Sequence, residues 1–165
     1  MSRFLQRLLF GSALFAALST VLMPTVRAQA AEPVSTGVIG SAAIGGKDTV
    51  SYHSDAVKQS HKVAEGDKRF EVKYLGATWR FASQASADRF AANPAAFAPR
   101  YNGHCANALA SGEGLVRTDG EVWDFFGDKL YLFFAERGRQ RWLKGDWLAY
   151  RKQADAAWQV ALDKR

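Results

Sequence analysis

Two aromatic, β-rich runs, each interrupted by a glycine, constrain this chain most. In the first, FEVKYLGATWRFA over Phe70–Ala82, Phe70, Val72 and Tyr74 alternate with polar residues; Leu75-Gly76 and then Thr78, Trp79, Arg80 and Phe81 follow. In the second, EVWDFFGDKLYLFF over Glu121–Phe134, Gly127-Asp128 separates Val122–Phe126 from Leu130–Phe134. Short β-rich runs around a Gly predict two β-hairpins.

The rest reads as helix and loop. Ser83 is placed to cap a helix with Phe90 and Phe97 among its apolar residues. That helix should end near Asn93-Pro94, since the residue before a proline is pushed out of the α region. Tyr101 to Gly112 predicts a turn and a short helix ending on the glycine. From Glu136 onward, Leu143, Trp147, Tyr150, Ala154, Ala157 and Ala161 recur at helical steps, with a break at Gly145-Asp146 and Asp146 as the second cap. Trp142, Trp147 and Trp158 read as core. The predicted class is α+β: one small domain with two β-hairpins, short helices and a C-terminal amphipathic helix.

The N-terminus carries an export pattern. Arg3 and Arg7 precede an uncharged apolar run from Leu8 to Met23, Pro24 breaks it, and Ala28-Gln29-Ala30 is an A-x-A cleavage site. The run is shorter than the roughly 20 residues a membrane span needs. Residues 1–30 therefore read as a signal peptide and 31–46, rich in Gly and small residues, as a flexible linker. The domain spans 47–162. The expected location is periplasmic or secreted, with no stable membrane span after cleavage.

The net charge of +6 loses three units with Arg3, Arg7 and Arg27, so export turns a nucleic-acid signal into a mild surplus. No nucleic-acid partner is expected. The run Arg137, Arg139, Arg141 and Lys144 reads as a solvated helix face. The chain has one Cys, which excludes a disulfide framework, a zinc knuckle and an iron–sulfur site built from its own thiolates. Both methionines, Met1 and Met23, lie in the signal segment. That excludes a Met-rich copper carrier and a blue-copper site with an axial Met.

Several segments in order resemble the YHS domain family. Lys47 to Ser54, KDTVSYHS, contains the literal Tyr52-His53-Ser54 triplet. Tyr74 to Ser83, Phe90 to Pro94, Phe97 to Ala106, Gly127 to Leu132 and Trp142 continue the match. It covers roughly residues 46–160 and is nearest to the stand-alone exported bacterial branch. The wider family implies a metal-binding module whose ligands are cysteines. Here those positions hold Ser51, Ala82 and Ser86, so that thiolate site does not transfer.

The remaining soft donors are Cys105, His53 and His104. A thiolate with imidazoles suits Cu(I) or Zn²⁺, and Cys105 falls at the start of the short helix, where the macrodipole favours thiolate. The competing reading makes Cys105 a small buried hydrophobe and His53 a loop staple, in a structural or protein-interaction module. A third reading is a small-molecule pocket lined by Tyr52, Trp79 and Tyr101. His61, in the polar stretch Lys58–Lys68, reads as a solvated loop residue. A Cys–His nucleophile pair lacks any orienting third group, and a thioredoxin-type redox site lacks a second Cys. The expectation is a non-enzymatic module of the cell envelope that binds a metal ion or a small ligand.

Overall fold

The two hairpins form as two separate two-stranded antiparallel sheets. The structure is a computed structural model that describes residues 33–37 and 42–164. The expected signal peptide lies outside the described residues. β1 (Asp67–Tyr74) pairs with β2 (Ala77–Phe81), Val72 opposite Trp79 and Tyr74 opposite Ala77. Their turn, Leu75-Gly76, holds both residues at positive φ, 51° and 75°. This is the mirror-image turn whose twist matches that of the strands. β3 (Val122–Phe126) pairs with β4 (Lys129–Phe133), Trp123 opposite Leu132, around Gly127 at φ 66°.

Six α-helices accompany the strands among the described residues. α1 (Asp55–Ser60) buries no residue, so no apolar stripe marks it in the sequence. α2 (Gln84–Ala92) is capped by Ser83, whose Oγ accepts from the Ser86 N–H at 3.2 Å. It stops where Asn93 turns to a non-helical φ of −154°, and Pro94 opens α3 (Pro94–Phe97) at its first position. Phe97 therefore belongs to a separate helix. α4 (Ala106–Ala110), α5 (Glu136–Lys144) and α6 (Trp147–Asp163) complete the set. Asp146 caps α6 by accepting from the Ala149 N–H at 3.1 Å.

Strand alternation decides how these pieces pack. Successive strand residues point to opposite faces. On β4, Leu130 and Leu132 enter one apolar cluster and Tyr131 and Phe133 the other. On β3, Trp123 and Phe125 face the first cluster while Val122 and Phe126 face the second. The second hairpin is thus a central partition covered on both faces. On its first face lie Tyr52, the inner residues of the first hairpin (Trp79 and Phe81) and Phe90 of α2. On its second lie Leu109 of α4, Trp142 of α5 and Ala154 and Trp158 of α6. Phe90 stacks on Trp79 at 5.2 Å, and Trp142 meets Phe126 and Tyr131 at 5.3 Å each. Each fully buried large side chain contributes roughly 2–3 kcal/mol over its exposed state.

The segment read as a linker, 31–46, is packed where it is described. Ser35, Ala43 and Ile44 have no exposed surface. Thr36 bridges Ala43, and Ala42 bridges Thr78 of β2. Small, Gly-rich sequence is compatible here with close packing as well as with flexibility. Gly45 needs its missing Cβ, which would fall 2.3 Å from the Asp119 carbonyl oxygen.

Candidate functional site

Where the two clusters meet, the surface opens into a groove of about 710 Å³. Its lining includes Tyr74 at the end of β1 and Ala98-Pro99 after α3. Asp155 and Trp158 of α6 and Lys129 at the start of β4 also line it. Arg100, Tyr101 and Asn102 lie along it.

Those last residues sit in a strained turn. Tyr101 and Asn102 have φ of 56° and 48°, and Gly103 follows at 84°. For a bulky residue the left-handed region costs about 1–2 kcal/mol, and it persists only where the surroundings enforce it. The restraint is visible here. The Ser35 N–H donates to the Asn102 carbonyl at 2.9 Å, and Thr118 Oγ1 donates to the Gly103 carbonyl at 2.7 Å. The His104 N–H and Nδ1 both donate to the Tyr101 carbonyl at 3.0 Å. A Cβ on Gly103 would fall 2.4 Å from Ile44 Cγ2, so only glycine lets the turn lie against the buried 42–46 segment.

Asp155 organises the charge in the groove. Its Oδ1 accepts from Arg100 Nη2 and, at 2.9 Å, from the Tyr101 hydroxyl. Burial, then the Asp155 carboxylate, pushes the Tyr101 hydroxyl well above the ordinary tyrosine value, so it remains a donor. Burial works against the Arg100 charge, but Asp155 more than offsets it and the guanidinium stays charged. Among the described residues Lys129 pairs with its exposed neighbour Asp128, at 3.3 Å. The groove can therefore hold a polar group by charge and hydrogen bonds, with aromatic surface beside it.

The expected site residues part company. Tyr101 is nearly buried in the second cluster and borders the groove. Tyr52 and Trp79 are core: the Tyr52 hydroxyl donates to the Gly120 carbonyl at 2.7 Å, and Trp79 Nε1 donates to the Tyr74 carbonyl at 3.1 Å. His53 lies on the first face of the partition, edge-on to Phe97 at 5.2 Å and Phe125 at 5.1 Å. Cys105 belongs to the second cluster. Its Sγ caps α4, accepting from the Ala108 N–H at 3.4 Å. His104 is buried near Trp158, ring centres 5.9 Å apart. His61 is exposed at the end of α1, with its ring 4.7 Å from that of Trp123.

The side chains present do not fit a metal centre of the expected kind. The partition separates His53 from Cys105, and among the described residues no group of three or more His, Cys, Asp or Glu is placed to hold a metal ion. At the positions where the resemblance implies cysteines, hydrogen bonds do the joining. Asp48, buried, accepts from the Val50 and Ser51 N–H groups through Oδ1 and from the Ala82 N–H through Oδ2. This carboxylate ties the opening loop to the end of β2.

No family model, no curated protein and no solved structure matches this chain. The groove, Arg100 and Asp155 escape a reading of sequence alone. The one signal in the sequence is the Arg100-Tyr101 pair within a Gly-containing turn, and its acidic partner lies 55 residues away. No helix among the described residues is long and apolar enough to cross a membrane.

Proposed function

We propose that this protein is an exported, YHS-like, non-enzymatic binding module that takes a small polar molecule in the groove. The ordered motifs from Tyr52-His53-Ser54 to Trp142 support the family reading, and the N-terminal pattern supports a place in the cell envelope. The observation that carries the ligand reading is the strained Tyr101-Asn102 turn, set beside the Arg100–Asp155 pair in the groove. Strain of this kind clusters at ligand sites, where rigid placement of polar groups offsets its cost. A second reading, a structural or protein-interaction module, is favoured by the burial of Cys105 as a helix cap.

Ligand-observed NMR with a mixed fragment library separates the two. The comparison variant is Ala156→Trp, which fills the groove from an exposed position on α6. Fragments should bind the wild type and lose binding to Ala156→Trp at unchanged melting temperature. Equal binding to both proteins, or none to either, leaves the structural module as the better reading. Equilibrium dialysis against Zn²⁺ and Cu(I) should give no stoichiometric uptake. Uptake abolished by Cys105→Ala would restore the metal reading.

A further inference from the structure

The polar atoms of the groove are unbalanced in sign. Among the described residues, Asp155 is the only carboxylate in the lining, and Arg100 and Tyr101 already donate to it. Arg100 Nε is buried and has no hydrogen-bond partner among the described residues. Lys129 is half exposed, and its partner, Asp128, is 85% exposed; such a pair is worth little and is readily exchanged. The described lining therefore carries two cations against one satisfied anion. The Tyr101 and Trp158 rings, 5.9 Å apart, are nearly buried beside them, and the partly exposed Tyr74 and Ala98 add apolar surface to the lining.

We propose that the groove takes a small organic monoanion: a carboxylate on a flat apolar body, its charge toward Arg100 and Lys129 and its body against the partly exposed Tyr74 and Ala98. The inference rests on the reading of the groove as the ligand site. A cationic ligand would meet two like charges and compete with Arg100 and Tyr101 for Asp155. A neutral one would leave Lys129 with only its exposed pairing to Asp128. Asp155 acts as a positioning residue that fixes Arg100 and keeps the Tyr101 ring against the groove.

The test uses three probes of one shape: benzoate, benzyl alcohol and benzylamine. Each is titrated into the isotopically labelled protein while the Trp158 indole and Tyr101 amide signals are followed. Benzoate should shift both signals saturably and at least tenfold more tightly than the other two. Lys129→Glu should weaken benzoate at least tenfold at unchanged melting temperature, and Lys129→Arg should restore it. If benzyl alcohol or benzylamine moves the same signals as tightly as benzoate, the anion assignment is wrong and the groove remains the site. The same conclusion follows if Lys129→Glu leaves benzoate unaffected. If none of the three probes moves those signals, while library fragments still distinguish wild type from Ala156→Trp, the anion assignment alone fails. If the library also fails to distinguish them, the groove reading falls with it.

Discussion

The two hairpins look alike in sequence and do different work. In the first, only β1 is one-sided. β2 is buried at Ala77, Thr78, Trp79 and Phe81, while β1 alternates between exposed and half-buried residues along FEVKY. The second is two-sided, with Leu130 to Phe133 buried in succession and adjacent residues feeding opposite clusters. A strand that alternates apolar and polar residues needs cover on one face, and a strand that is apolar throughout needs cover on both. The run LYLF on β4, Leu130 to Phe133, thus marks the partition around which the domain is built. The lesson extends to function, because the groove opens where the partition's covers meet.

The largest expected effect tests the partition directly. Phe133→Ala and Leu132→Ala should each cost about 3–5 kcal/mol in urea unfolding, although they are neighbours on one strand, because each empties a different cluster. On β1, Val72→Ala should cost about 1 kcal/mol and Lys73→Ala within about 0.5 kcal/mol. A strong asymmetry between residues 132 and 133 would break the two-sided description.

A smaller effect tests the seam. Gly103→Ala combines left-handed strain with the close approach to Ile44 and should cost about 3 kcal/mol. Gly112 is also left-handed, at φ 76°, but an added methyl there would meet nothing within 4 Å. The same change at Gly112 should cost only about 1 kcal/mol. Equal losses would show that contact with the 42–46 segment contributes nothing to the turn.

The smallest effect concerns His53 on the first face of the partition. Burial lowers its pKa below the ordinary 6.5, nearby Lys58, Arg89 and Lys129 lower it further, and a hydrogen bond with the Phe97 backbone partly opposes them. The unfolded chain therefore takes up this proton first as pH falls. Stability should decline from about pH 6.5 downward and level off below the folded pKa. His53→Gln should remove that part of the slope in pH-dependent thermal unfolding. An unchanged slope would show that the ring is not held neutral between Phe97 and Phe125.

Much of the local structure is legible from residues close together in the chain. Ser83 and Asp146 cap the helices that follow them, Pro94 ends α2, and the Leu75-Gly76 and Gly127-Asp128 turns close the hairpins. Each depends on contacts within about four residues, which sequence spacing specifies. The linker and pocket expectations depend instead on distant packing. Ile44 and Ser35 carry no periodic signal, yet they lie in the interior because Asn102 and Thr118 come to meet them. Tyr52 and Trp79 have the right chemistry for a pocket and are enclosed by the first cluster.

The sequence by itself therefore determined the elements: two hairpins, their turns, the caps and the apolar stripe of α6. Hydrogen bonds and side-chain periodicity over a few residues suffice for these. Only the tertiary structure decided which aromatics seal the core and which of those border the groove. It alone brought Arg100 and Tyr101 to Asp155 and set Cys105 and His53 on opposite faces of one sheet. Those outcomes follow from how distant segments share buried volume, a property that no short stretch of the chain contains.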